Sequence, residues 1–212
     1  MNEYRFIITL FGQKHRGMLL TNLYSISQNA PNASVSVFWQ DVGEQTKKEF
    51  KKAFPNVDFN DTNFDLASDK IRRISSKMLF WTHAVKKCKG QRLCFIDVDT
   101  LVLKDVGVFF DEDFDILFTV KEEKFPLNTG VMFSKGDRSE LFFQKWLERT
   151  MEILNDPNLL NQSMSTRYPF GGGDQMSFYQ MVNYQRGVTS YKVTIDDQVI
   201  TAVSKPCRLL NE

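Results

Sequence analysis

Leu93-Cys94-Phe95-Ile96-Asp97-Val98-Asp99-Thr100-Leu101-Val102-Leu103 is the stretch on which the reading of this chain turns. An apolar run long enough for a buried strand ends in two carboxylates, and a second apolar run follows. An unpaired carboxylate is expensive to bury, so Asp97 and Asp99 are expected where the strand leaves its sheet. In open α/β sheets, ligands bind at the carboxyl ends of strands. Strand alternation would put Asp97 and Asp99 on the same side. Two carboxylates held close repel unless a cation or a proton lies between them. A hard divalent cation would satisfy both and could also hold a diphosphate. Taken alone, Asp-x-Asp after a strand also suits an ordinary turn.

The segments around this stretch alternate between strand and helix. Phe6 to Phe11 reads as a first buried strand broken by Gly12. Leu19, Leu20, Leu23 and Ile26 give helical spacing over Met18 to Gln28. Ser34 to Trp39 reads as a second strand, Gly43 to Phe54 as a surface helix, and Val57 to Phe59 as a short third strand. Ile71 to Lys87 reads as a helix closed by Gly90. Asp115 to Val120 is a further strand, Lys121 to Lys124 a solvated charge cluster, and Pro126 to Gly130 a polar turn feeding a strand over Val131 to Ser134. Asp137 or Ser139 is expected to cap a helix running to about Leu154. Asn155 to Arg167 reads as a mobile connection. Phe170-Gly171-Gly172-Gly173-Asp174-Gln175 then leads into a helix ending near Val182, and Tyr191 to Val203 is β-like. Such alternation predicts a parallel sheet with crossover helices. Three glycines before a helix allow close approach of backbone to a ligand.

Composition narrows the function classes. The chain has 212 residues, 42% hydrophobic and 25% charged, with a formal net charge of +1. That length predicts one large domain, or a domain with a small appendage, with a sizeable core. Near-zero charge gives no basic excess for nucleic acid. The 19 Phe residues fall mostly in periodic apolar segments and read as core, as do Trp39 and Trp146. Three cysteines, Cys88, Cys94 and Cys207, fit reduced thiols in a cytoplasmic protein. With only His15 and His83 present, no Cys/His zinc spacing exists. No apolar run reaches the roughly 20 residues a bilayer span needs, and the polar start Met1 to Arg5 is unlike a signal peptide. Neither a Walker A motif nor a GxGxxG after the first strand occurs.

Four pieces stand in a fixed order: Ser76-Lys77-Met78-Leu79-Phe80-Trp81, the Asp97-x-Asp99 strand end, Asn128-Thr129-Gly130, and Gly172-Gly173-Asp174-Gln175. Together they resemble the glycogenin-like and galactosyltransferase-like retaining glycosyltransferases of the GT-A fold, family eight. The resemblance runs from the first strand to about Val182. It implies a single GT-A domain over residues 1–212, with a Rossmann-like, mostly parallel central sheet flanked by helices and a small C-terminal β segment. It implies Asp97 and Asp99 as ligands of a divalent metal, Mn2+ or Mg2+, that bridges the diphosphate of a nucleotide sugar. Lys77 would contact the donor. Asn128, with Thr129 and Gly130, would meet sugar hydroxyls. Asp174 and Gln175, beside Gly173, would lie next to the transferred sugar as the catalytic pair. Thr9 and Phe11 would hold the base. The implied reaction moves a sugar, from UDP by family habit, to a glycan or lipid-linked acceptor with retention.

The chain departs from the family in two places. Phe11-Gly12-Gln13-Lys14-His15 stands where the family shows a Thr/Asn-Asp…Tyr pattern around base and ribose. The family's third metal ligand is a C-terminal His, and no His follows His83. Three expectations follow: a truncated C-terminus, completion of the site by water or another group, or donor binding without efficient turnover. The last makes a non-catalytic nucleotide-sugar or carbohydrate-binding protein the alternative. HAD phosphatases also place Asp-x-Asp after a strand, but Thr100 comes one position earlier than their pattern requires. Arg72 and Arg73, just before Lys77, are further candidates to meet phosphate.

Overall fold

A computed structural model describes residues 3–66, 75–121, 126–165 and 170–207. The chain runs β1 (Arg5–Phe11), α1 (Arg16–Asn29), β2 (Ser34–Gln40), α2 (Glu44–Ala53), β3 (Asp58–Asp61), α3 (Lys77–Lys87), β4 (Leu93–Ile96), a 3-10 turn (Gly107–Asp111), β5 (Ile116–Val120), β6 (Leu127–Ser134), α4 (Arg138–Asn155), α5 (Pro157–Met164), α6 (Gly173–Val182), β7 (Ser190–Ile195) and β8 (Gln198–Pro206). The strands form one sheet in the order β3-β2-β1-β4-β6-β5-β8-β7. β1 pairs in parallel with β2 and β4, β2 with β3, and β5 with β8. The β4–β6, β5–β6 and β7–β8 pairings are antiparallel.

Both faces of this sheet are covered, which is why its central strands are continuously apolar rather than alternating. Phe6, Ile8 and Leu10 of β1 pack with Leu19, Leu23 and Ile26 of α1 and Phe50 of α2. Ile7, between them, points to the other layer, where Met78, Trp81 and Val85 of α3 meet Phe142, Phe143 and Trp146 of α4 and Phe178 of α6. The expected aromatic core is real: Trp39, Trp81 and Trp146 are fully buried. Leu20 is the exception in α1. It lies one residue beyond the buried stripe and is half exposed.

Several local expectations need correction. β4 ends at Ile96, and Leu101 and Leu103 beyond it are exposed while Val102 is buried. Residues 127 to 130 are strand, not a turn preceding one. Neither Asp137 nor Ser139 caps α4 through its side chain, since Ser139 Oγ donates to the Gly136 carbonyl instead. The stretch after Asn155 contains a helix, α5, whose first amides are held by the Asp156 carboxylate, with Pro157 at the first helical position. Asp174 and Gln175 lie within the first turn of α6 rather than before it. The C-terminal hairpin extends the main sheet through β8. The beginning of the helix expected from Ile71, with Arg72 and Arg73, and the cluster at Glu122 to Lys124 lie outside the described residues.

Candidate active site

The chain order reverses at β1: β2 and β3 lie to one side, β4 to the other. α1 covers one face there and α3 the opposite face. The crevice outside the carboxyl ends of β1 and β4 is therefore a topological switch point, the usual ligand position in open α/β sheets. A pocket of about 300 Å³ opens at it, lined by Thr9, Phe11, His15, Lys77, Asp97 and Asp99 among others.

Each side chain reaches this pocket for a local reason. β4 ends with the Asp97 amide donating to the Gly130 carbonyl at 2.8 Å. A turn follows, closed by the Thr100 amide on the Asp97 carbonyl at 3.0 Å. This turn, not the pleat of a strand, carries Asp99 back beside Asp97. β6 contributes through an irregularity. Phe118 pairs with Met132, yet Thr119 pairs with Asn128, so the residues between bulge out of the ladder. Thr119 Oγ1 closes the bulge by donating to the carbonyls of Asn128 at 3.0 Å and Val131 at 3.3 Å. Bulges re-aim side chains, and this one presents Thr129 and Gly130 to Asp97. A Cβ on Gly130 would lie 2.9 Å from both Asp97 Oδ2 and Asn128 Oδ1. Glycine is needed there for the approach of the carboxylate.

Lys77 sits at the start of α3 and is 8% exposed. Its ammonium lies 3.5 Å from Asp97 Oδ1 and 3.5 Å from Asp174 Oδ2. It donates to Thr129 Oγ1 at 3.1 Å and stands 4.8 Å from the Trp81 ring centroid. Burial by itself lowers the affinity of Lys77 for its proton, but the Asp97 and Asp174 carboxylates outweigh this and hold it above the ordinary lysine range. Loss of solvation in the crevice raises Asp97 above the usual carboxylate range, Lys77 opposing the shift and Asp174 and Asp99 adding to it.

Asp174 is almost completely buried. Its Oδ2 accepts from Thr129 Oγ1 at 3.0 Å and its Oδ1 from Ser75 Oγ at 3.2 Å. Trp146 Nε1 donates to the Asp174 carbonyl at 2.9 Å, tying the first turn of α6 to α4. The glycines before it permit the tight entry. Gly172 has φ +154°, and a Cβ on Gly173 would meet Leu154 Cδ2 at 2.9 Å. Gln175 differs from Asp174: its Oε1 is buried with no hydrogen-bond partner among the described residues.

The structure thus brings Thr9, Phe11, Lys77, Thr129, Gly130, Asp97, Asp99 and Asp174 to one crevice and its floor. Gly173 and Gln175 flank Asp174 in sequence. Asn128 turns partly away: its Oδ1 accepts from the Gly130 amide at 2.8 Å, and its Nδ2 faces Cys207 Sγ at 3.5 Å. It lines a second cavity of about 240 Å³ with Cys207, Thr119 and Val131. Sequence reasoning missed Ser75, whose only signal is its place two residues before Lys77. Trp146 read as core, which it is, without its bond to Asp174.

The donor set can be tested against a divalent cation. Lys77 lies beside the carboxylates of Asp97 and Asp174, and Asp99 adds a third carboxylate next to Asp97, so among the described residues lining the crevice one ammonium stands near three carboxylates. Among the described residues, no group of three His, Cys, Asp or Glu could hold a metal. Two carboxylates suit a hard cation that takes its remaining ligands from water and substrate phosphates, as magnesium and manganese do. Asp97 and Asp99 fit that mode.

No protein-family model matches the chain, and no curated protein matches it. Solved structures do. The glycosyltransferase GlyE of Streptococcus pneumoniae TIGR4 superposes with a TM-score of 0.59 over 97% of this chain and 45% of its own, at 15% identity. The chain therefore spans less than half the length of GlyE. The galactosyltransferase LgtC, solved with donor and acceptor sugar analogues, gives 0.56 over 82% of this chain and 69% of its own, at 13% identity. The PaToxG glycosyltransferase gives 0.54 over 85% and 70%, at 14% identity. At these identities the likeness is one of fold. The chain has the GT-A fold, an α/β architecture with a mostly parallel mixed sheet flanked by helices.

Proposed function

We propose that this chain is a metal-dependent glycosyltransferase that moves a sugar from a nucleotide-diphosphate donor to an acceptor. The observation that carries the reading is the Lys77 ammonium held between Asp97 and Asp174 in the switch-point crevice of a GT-A sheet. A diphosphate cannot approach Asp97 and Asp99 unaided, because like charges repel at short range. A divalent cation on the two carboxylates, Mn2+ or Mg2+, would supply that compensation and polarise the leaving diphosphate. Lys77 would then meet the charge that grows on the leaving oxygen. Thr9 and Phe11, at the end of β1, would border the nucleoside. Gln175 Oε1, an acceptor with no partner among the described residues, would face the sugar. Asp174 would act from beneath, through Thr129 and Lys77. UDP as the nucleotide, a hexose as the sugar, retention, and a glycan or lipid-linked acceptor come from the family resemblance.

The test is release of nucleoside diphosphate from a panel of nucleotide sugars in the presence of Mn2+. Turnover is expected for at least one donor, and Asp97→Asn and Asp99→Asn should abolish it while the thermal melt stays cooperative. Undiminished turnover in either folded variant would contradict the proposal. Donor binding with no release, even with acceptors supplied, would favour the binding-protein alternative.

A further inference from the structure

The two oxygens of Asp97 have different neighbours. Oδ1 is 3.5 Å from the Lys77 ammonium, while Oδ2 lies by Gly130. The ammonium also has a cradle that does not depend on Asp97: Asp174 Oδ2 at 3.5 Å, Thr129 Oγ1 at 3.1 Å, and the Trp81 ring. Of the two carboxylates beside Lys77, Asp174 is sealed in the interior, with a side chain 4% exposed. Asp97 keeps 37% of its side chain exposed and lines the pocket. The contact between Lys77 and Asp97 is therefore the one that an incoming ligand can exchange.

Resting on the nucleotide-sugar reading above, we propose that Lys77 is a tethered counter-ion that couples metal binding to diphosphate binding. Before a donor arrives, the ammonium neutralises Asp97 and competes with a divalent cation for it. A cation on Asp97 and Asp99 alone would face the Lys77 charge at short range, which disfavours it. A diphosphate removes the conflict by accepting Lys77 and the cation together. Metal and diphosphate then enter as a mutually reinforcing pair, and linkage requires each to raise the affinity of the other by the same factor. The long stem of lysine suits this exchange, since helix α3 fixes its backbone while the ammonium can move a short way within its cradle.

Mn2+ binding to the full chain, measured by calorimetry or by the spin signal of free Mn2+, with and without UDP as probe, tests this. In the unaltered protein, UDP should tighten Mn2+ by about tenfold or more. Lys77→Met should bind Mn2+ alone about tenfold more tightly and lose most of the enhancement by UDP. Asp174→Asn removes the buried carboxylate that shares Lys77 and leaves more of its charge on Asp97, so Mn2+ alone should bind more weakly. A purely structural role would weaken binding in both variants; opposite signs are the signature. Lys77→Met binding Mn2+ no more tightly than the unaltered protein, with the UDP enhancement intact, would overturn the inference. If that variant does not fold, unchanged or tighter Mn2+ binding by Asp174→Asn overturns it. Failure of the unaltered protein to bind Mn2+, with or without UDP, would defeat the metal-dependent reading as well. A normal Mn2+-dependent UDP site without the Lys77 effect defeats only this inference.

Discussion

Thr129 shows how little slack the crevice has at the scale of one residue. Its hydroxyl accepts from Lys77 and donates to Asp174, while its carbonyl lies 3.4 Å from the same ammonium. Thr129→Val keeps the shape and removes the hydroxyl, leaving two buried charged groups one partner short. A buried group left unsatisfied costs about 1–3 kcal/mol, so the denaturant midpoint should fall by that equivalent. Donor affinity should fall too, because Lys77 loses its fixed position. Thr129→Ser, which restores the hydroxyl, should recover most of both. Equal losses in the Val and Ser variants would show that packing of the methyl, not the hydrogen bonds, matters at this position. None of this was legible in the sequence. Lys77, Asp97, Thr129 and Asp174 could be picked out one by one, but their mutual contacts join residues far apart in the chain and are fixed only by folding.

At the scale of elements, two glycines with similar crowding should behave differently. A Cβ on Gly130 would press on Asp97 Oδ2 and Asn128 Oδ1, both 2.9 Å away and both engaged in site geometry. A Cβ on Gly173 would press at 2.9 Å on Leu154 Cδ2, the far end of a side chain that can yield. Gly130→Ala is expected to abolish donor binding with a modest fall in melting temperature. Gly173→Ala should retain donor affinity within a few-fold, with a cost of at most about 1–3 kcal/mol from overpacking. Donor titrations beside thermal melts of the two variants check this, and equal loss of affinity would contradict it. Asp156→Ala should lower stability by about 1 kcal/mol through loss of the α5 cap and leave donor binding unchanged.

These elements also show why parts of the sequence misled. Asn128-Thr129-Gly130 has turn chemistry, yet it belongs to a strand that bulges at that point. Propensity reports the irregularity but not whether pairing resumes around it. Asn155 to Arg167 is polar, so it reads as connection. The Asp156-Pro157 pair, a cap followed by proline at the first helical position, was the signal for α5 that polarity obscured. By contrast, the apolar runs of β1 and β4, the alternation of β2 and the periodic faces of α1, α3 and α4 were readable because burial on a sheet imposes them directly.

At the scale of the molecule, the site stands on β1, β4 and β6, and the C-terminal hairpin is tied to β5 beside them. Asp115 makes that tie. Its Oδ2 accepts from the Thr201 amide at 2.8 Å, its Oδ1 accepts from Arg138 Nε at 3.1 Å, and the Asp115 amide returns a bond to the Thr201 carbonyl at 2.9 Å. The start of β5, the start of α4 and β8 therefore meet at one buried carboxylate. Asp115→Ala should destabilise the chain by about 1–3 kcal/mol, because the Thr201 amide loses a buried partner and Arg138, half exposed, finds water. Well below the melting temperature, donor affinity should not change, since the crevice at β1 and β4 lies across the sheet. Unchanged stability would show that the β5–β8 ladder and packing hold the hairpin without the carboxylate. A parallel sheet with crossover helices followed from strand and helix alternation, whereas the strand order, the switch point and the joining of the C-terminal hairpin to β5 required the structure.

Calorimetric titration of UDP-sugars and of UDP into the protein, with and without Mn2+, and the same titration of Asp99→Ala, tests the central claim most directly. The account predicts binding that requires Mn2+ and is lost in the variant. Binding that ignores both the metal and Asp99, or no nucleotide binding under any condition, would contradict it.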